Sequence, residues 1–292
     1  MTFTFSHDKH TCIRFITGGA AAVAILLGSA APAFAAKLAA KAAPVQLGND
    51  ISWPQCGKPL PSGQAFGVVS VNGGTAIKDN PCLSSELQWA AHSTGAVPAQ
   101  KKIQLYVNTA NPGNLGVASW PVSNTGPSGT ATADPYGPCA GEDSDACAWQ
   151  YGWNRAFEDV QNRFVPATQS LGLDTNPANY PWWLDVETVN SWESGSTTAL
   201  ARNAHDLEGM AAYFKSLGAT QTGIYSTSYQ WNQIVGTTVS ADSNLNQTFS
   251  WLAGSSSKSA PSDCKKPPLT AGSTVAMTQY VSGRYDYDYS CL

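Results

Sequence analysis

The stretch "PWWLDVETVNSW", Pro181 to Trp192, sets two carboxylates, Asp185 and Glu187, two residues apart behind an apolar run. Burying a charge is costly unless it is paired or put to use, so a chain that carries two acids to such a place has a reason to keep them. On a β-strand, residues i and i+2 share one face. Asp185 and Glu187 would therefore project together, while Leu184 and Val186 turn the other way toward a helix layer. The run ends in "VET", before the loop "VNSWESGS", which sets the pair at the C-terminal end of its strand. An arbitrary Asp-x-Glu more often caps the next helix or bonds loop amides, so the surroundings must decide.

Short apolar, β-rich runs recur on both sides of this stretch. Upstream, "NDISW" (Asn49 to Trp53), "FGVVSVNGG" (Phe66 to Gly74) and "KIQLYVNTANPG" (Lys102 to Gly113) read as strands, with a helical stretch over Leu83 to Ser93. A loop rich in Gly, Pro, Ser and Thr runs from Asn111 to Asp145. A helix is expected over Ala146 to Gly172, which Pro166 ends or kinks. Downstream come a helix over Thr197 to Gly218, the strand "TGIYSTSYQW", and three further strand-like pieces, "TFSWLAG", "TVAMTQY" and "RYDYDYS". Strands alternating with helices over the first two-thirds predict parallel βαβ units. The eight strand candidates predict an α/β fold, an irregular TIM-like (β/α) barrel whose last strands lack full helices between them. A doubly wound sheet is the competing fold. Neither a dinucleotide fingerprint nor a P-loop lysine is present, and the residues imply no cofactor.

In such a barrel the C-terminal strand ends form the floor of the active site. Other acids fall at other strand ends: Asp50 in the first strand, and Asp286 and Asp288 on one face of the last. First and last strands are neighbours in a closed barrel, so these acids should converge with Asp185 and Glu187. Asn72, Tyr106, Asn108, Tyr225 and Gln279 occupy late-strand positions that would add hydrogen-bonding groups for a substrate. Trp53, Trp183, Trp231 and Trp251 could offer flat faces to sugar rings, although a single Trp is more often core. Like charge and desolvation should raise a carboxyl pKa there, the condition for a general acid near neutral pH. Glu187, nearer the open end, is the expected proton donor, and Asp185 is expected to stay ionised.

The first 35 residues read as an export signal. His7, Lys9, His10 and Arg14 make a basic start, Ile16 to Leu27 is apolar, and "APAFA" places the cut after Ala35. Left uncut, the segment would be a membrane anchor; with the cut, no membrane association is expected. Residues 36–48 read as an Ala/Lys-rich tether, and 49–292 as one domain. The whole chain holds 16 basic and 20 acidic residues; without Lys9, Arg14 and Asp8 the balance is 14 to 19, a net charge of −5. A mildly acidic chain with no basic stripe argues against nucleic acid as a partner. Beyond Cys12, the chain holds Cys56, Cys82, Cys139, Cys147, Cys264 and Cys291. An even number in an exported chain suggests three disulfides. Nearest-neighbour pairing is preferred because each bridge would staple one loop-rich region. Zinc is the competing reading, with no metal preferred because the spacings are irregular and His92 and His205 are the only histidines left.

The order "NDISW", "WWLDVE", "GIYSTS", "WLAG", then "TQY" followed by "YDYD" resembles the landmarks of family-25 glycoside hydrolases, secreted lysozyme-like muramidases. The resemblance implies an irregular barrel, five β/α units preceding strands without full helices. It also implies a polysaccharide substrate, peptidoglycan, cut between N-acetylmuramic acid and N-acetylglucosamine. Glu187 matches the catalytic acid, Asp185 its paired acid, Asp50 the first-strand aspartate and Asp286 that of the final strand. Retention assisted by the substrate's acetamido group is the mechanism the resemblance implies. The second strand, "VSVNGG", and the third, "LYVNT", depart from the family's usual Lys/Thr/Glu-containing and Tyr-His-Phe runs, and the loop after Asn111 is atypically long. A catalytically inactive glycan-binding or cell-surface module on the same barrel is therefore the alternative reading. A serine hydrolase is not, since no Gly-x-Ser-x-Gly elbow is present. Oligomeric state is left open.

Overall fold

A computed structural model describes residues 47–292. The expected signal (1–35) and all but the last two residues of the expected tether (36–48) lie outside the described residues. Leu47 and Gly48 already belong to the first strand. Eight strands close a barrel in chain order. They are β1 (Leu47–Ile51), β2 (Gly67–Ser70), β3 (Ile103–Asn108), β4 (Trp182–Asp185), β5 (Thr222–Ser226), β6 (Phe249–Leu252), β7 (Thr274–Ser282) and β8 (Tyr285–Ser290). Strands β1 to β7 run parallel, and β8 closes the barrel antiparallel to both β7 and β1.

Three helical stretches appear where the sequence places them, but the strand expected over Thr222 to Trp231 ends at Ser226 and gives way to a helix from Ser228, whose N-terminus the Thr227 hydroxyl caps. The helices are α1 (Leu83–Ala91) after β2, α2 (Asp145–Glu158) and α3 (Val165–Leu171) after β3, α4 (Thr197–Ser216) after β4 and α5 (Ser228–Ile234) after β5. Only the single turn α6 (Ala260–Asp263) separates β6 from β7. The first connection also departs from five full β/α units, because a three-residue turn, Trp53–Gln55, is all the helix between β1 and β2.

The helix expected over Ala146 to Gly172 is broken in two by a π turn, Asp159–Phe164, with Pro166 in the first turn of α3. A proline ring clashes with the carbonyl four residues back and has no N–H to donate, and the wider turn absorbs both defects. Helices α2 and α4 cross with backbones nearly touching. A Cβ on Gly152 would lie 1.9 Å from the Asp206 carbonyl oxygen, and one on Gly209 at 1.9 Å from that of Trp149.

Strand β4 is buried on both faces, as a parallel strand covered by helices should be. Trp182 and Leu184 point outward into the layer between barrel and helices, where Trp182 stacks on Phe214 with centroids 4.6 Å apart. Trp231 is buried in this same layer, so it offers no face to a sugar. All six cysteines among the described residues pair as nearest neighbours: Cys56–Cys82, Cys139–Cys147 and Cys264–Cys291. The second bridge staples the long β3–α2 loop at its base, and Trp120 in that loop stacks on Tyr151 of α2. No helix among the described residues is long and apolar enough to cross a membrane.

Candidate active site

The alternation that sends Leu184 outward sends Trp183, Asp185 and Glu187 inward. The same geometry on the other strands brings Asp50, Tyr106, Tyr225, Trp251, Gln279 and Asp286 to the barrel mouth. With Asp185, Glu187, Ser52 and Val281 they line a cleft of about 250 Å³. A space at the opposite end of the barrel, beside Gln104 and Trp183, is only about 20 Å³, room for one water.

Register fixes the heights of these side chains. Asp50 lies opposite Asp286, Asn108 beside Asp185, Asp185 beside Tyr225, and Tyr225 beside Trp251. Gln279 links two of them, donating from Nε2 to Asp50 Oδ2 at 2.9 Å while its Oε1 accepts from the Tyr225 hydroxyl at 2.8 Å. Glu187 is held by its backbone: its carbonyl accepts from Trp192 Nε1 at 2.9 Å and from the Asn190 N–H at 3.1 Å. The turn after β4 is thereby closed, and the half-buried Glu187 side chain stands at the open edge of the cleft.

These acids suppress one another's ionisation. Burial first, then the charges of Asp286 and Glu187, push Asp50 up to about 8 against the opposing hydrogen bond from Gln279. Asp185 is driven well above the usual carboxylate range by burial and by Glu187 and Asp50. Its Oδ1 has no hydrogen-bond partner. Burial also raises Asp286, and it raises Glu187, to which Asp286 adds while a hydrogen bond from Gln230 opposes. Buried like charges in one cleft favour the neutral forms. Burial thus works against the expectation that Asp185 stays ionised, since it is the more deeply buried of the pair.

Several expected substrate contacts turn out to be framework. Asp288 sits one level below Asp286, beside Gln279 and Gly48, fully buried with the Trp251 indole set against its carboxyl. It belongs to the floor beneath Asp50, not to the open cleft. Trp183 fills the barrel interior, donating to Gln104 Oε1 at 2.9 Å and packing edge-on against Trp251. Only the absent Cβ of Gly223 makes room for its ring, since one there would lie 2.3 Å from Trp183.

Asn72 and Asn108 brace one another instead of facing the cleft. Asn72 Oδ1 accepts from the Asn108 N–H and Nδ2, both at 2.8 Å, and its own Nδ2 donates to the Asn108 carbonyl at 3.1 Å. Trp53 stands at the rim with 48% of its surface exposed, its indole against Gly74.

Sequence reasoning missed Ser52, whose hydroxyl lies against the Tyr106 hydroxyl, and Gln230, which bonds both Glu187 and the Thr188 amide. Ser52 carried a usable signal, being two residues beyond Asp50 and so on its face. Gln230, on α5, carried none.

No protein-family model matches the sequence, and no curated protein matches it. Among solved structures the chain is similar to a muramidase from Trichobolus zukalii, with 18% identity, 84% of this chain and 92% of that one covered, and a TM-score of 0.45. It is also similar to a family GH25 lysozyme from Aspergillus fumigatus (18% identity, 84% and 93% covered, TM-score 0.43). A lysozyme from Streptomyces coelicolor is a third (16% identity, 84% and 91% covered, TM-score 0.41).

Proposed function

We propose that the protein is a secreted glycoside hydrolase acting on bacterial cell-wall glycan, with Glu187 as general acid. The observation that carries this reading is the convergence of Asp50, Asp185, Glu187 and Asp286 on one cleft, where Glu187 and Asp286 are the partly exposed members and burial raises the pKa of Glu187. A group that protonates a glycosidic oxygen must be reachable by the sugar and hold its proton toward neutral pH; Glu187 is partly exposed, and burial raises its pKa in that direction. Tyr106, Tyr225 and Gln279 supply hydroxyl and amide partners for sugar hydroxyls around it. Trp251 supplies an aromatic wall. The three disulfides agree with an oxidising destination outside the cell.

In this reading Glu187 donates its proton to the leaving oxygen as the bond to the muramic acid anomeric carbon lengthens. The sugar's own acetamido oxygen closes onto that carbon. Asp185, next to Glu187 on the same strand face, steadies the positive charge that develops on the acetamido nitrogen. Asp185 acts in this step as a carboxylate, the form that the neighbouring positive charge favours. Glu187, now a carboxylate, takes a proton from the water that opens the ring.

The test is release of new reducing ends from purified peptidoglycan by the oxidised, signal-free protein, with Glu187→Gln in parallel. Release by the wild type alone supports the assignment. Retained activity in Glu187→Gln overturns the role of that residue. No release by folded wild type, with saturable wall binding, replaces the hydrolase by a glycan-binding module.

A further inference from the structure

A second concavity opens beside the acid cleft, and the proposed chemistry at Glu187 does not use it. It holds about 370 Å³ and is lined largely by apolar groups, among them Ala76, Ile77, Pro112, Val117, Tyr151 and Val189. Its walls come from three connections at the barrel mouth, the segment after β2, the start of the long β3–α2 loop and the turn after β4, with Tyr151 of α2 behind them. That last turn is shared with the cleft, because Glu187 lines one concavity and Val189 to Ser191 the other.

The walls are preformed. The Gly73 N–H donates to the Lys78 carbonyl at 2.7 Å, and the Asn111 N–H to the Ser191 carbonyl at 2.9 Å. The Asn111 side chain donates onward to Glu193 and Asn203, at 3.0 and 3.1 Å. The lip of this firm groove nevertheless leaves Val189 84% and Ile77 56% exposed. Well-formed apolar concavities with a few polar groups are what ligands use. Lys78 is the cation lining this one, on a protein whose neighbouring cleft is crowded with carboxyls.

We infer that this groove is a second subsite, which takes the peptide carried by the muramic acid whose bond is cut. The inference rests on the proposed cell-wall substrate and deepens it. In that glycan a lactyl ether on muramic acid carries a peptide that begins with alanine, followed by a glutamate that often keeps a free carboxylate. The alanine and lactyl methyls match the apolar walls, and the free carboxylate matches Lys78. Continuity through the Glu187–Ser191 turn lets one ligand span both spaces. The groove therefore makes the protein selective for peptide-bearing over peptide-stripped glycan.

The experiment reads binding in a background that does not need turnover. The oxidised Glu187→Gln protein is titrated by calorimetry with N-acetylmuramic acid, with N-acetylmuramyl-L-Ala-D-Glu and with N-acetylmuramyl-L-Ala-D-isoglutamine. The expected result is that the Glu-bearing ligand binds about tenfold tighter than the bare sugar, the range one well-filled apolar pocket supplies. Val189→Asp, at an exposed position, should erase that gain. Lys78→Glu should remove the preference for glutamate over isoglutamine while leaving the bare sugar unchanged. Equal binding of the bare and peptide-bearing sugars, or a gain that survives Val189→Asp, overturns the subsite. So does a dimer that Val189→Asp dissociates, since a second copy would then fill the groove. If wild-type protein releases no reducing ends yet the peptide preference holds, the hydrolase reading fails and the subsite stands.

Discussion

Asp50 and Asp286 face one another across the antiparallel seam between β1 and β8, as direct register partners. Each is raised by burial, and the charge of Asp286 adds to the rise at Asp50. The barrel is thus closed through a pair of like groups that repel when ionised.

That pair makes stability fall as pH rises. Asp50 titrates near 4 in the unfolded chain and at about 8 in the fold. Below the unfolded value both states are protonated and the fold keeps its full stability. Between about 4 and 8 the unfolded state ionises first, and stability is lost progressively. Asp185 and Asp288, also driven upward, act in the same direction. Thermal melts should therefore show a higher Tm at pH 5 than at pH 8. Asp50→Asn should flatten part of that slope, which is worth up to several kcal/mol by linkage. A Tm that rises toward pH 8 would contradict the assignment.

The pH profile of turnover should carry a signature of Gln230. The proposed reaction needs Glu187 protonated, so activity should fall as pH rises through its raised pKa. The Gln230 hydrogen bond favours the carboxylate and holds that pKa down. Removing it in Gln230→Ala should move the alkaline limb of kcat/KM to higher pH. A limb that stays in place, or moves down, separates Gln230 from the acid.

Two tryptophans should behave oppositely. Trp183→Ala leaves a hole inside the barrel and an unpaired Gln104 oxygen. It should cost about 3–5 kcal/mol in urea denaturation, as large-to-small core changes do. Trp53→Ala, at the exposed rim, should change stability by no more than about 0.5 kcal/mol. Equal costs would mean that Trp53 is part of the core.

The bridge Cys264–Cys291 ties the connection before β7 to the residue just beyond β8 across 27 positions. Closing a loop of that length removes about 3–4 kcal/mol of unfolded-state entropy. Replacing both cysteines by serine should lower the urea midpoint by the corresponding amount. The equivalent change at Cys139–Cys147, separated by 8 positions, should cost less. The reverse order would show that the β3–α2 loop depends on its staple more than the barrel seam does.

The barrel was legible because a period of two marks a strand and acids at matching strand ends mark a mouth. "LDVE" and "YDYD" carried both signals. Period two reports the face of a residue but neither strand direction nor depth. Asp286 and Asp288 share one face, as do Trp183 and Glu187, yet two residues along a strand separate a cleft from a sealed interior. Side-chain chemistry is equally mute on partners: the amides of Asn72 and Asn108 suit a sugar as well as they suit one another. Gln230 reaches Glu187 from α5, a proximity that exists only once the helix is packed.

The β1–β8 seam also sets a timetable for the nascent chain. Asn49 on β1 and Asp286 on β8, joined there by a hydrogen bond, lie 237 positions apart. Asp50 is thus synthesised near the start of the domain and Asp286 near its finish, and contacts of such separation form late. Until β8 slides between β7 and β1 the acids of the cleft stay apart, so an incomplete or still-unfolded chain carries no assembled cluster. On the proposed activity and export, the producing cell is safe from this protein for as long as the two ends have not met.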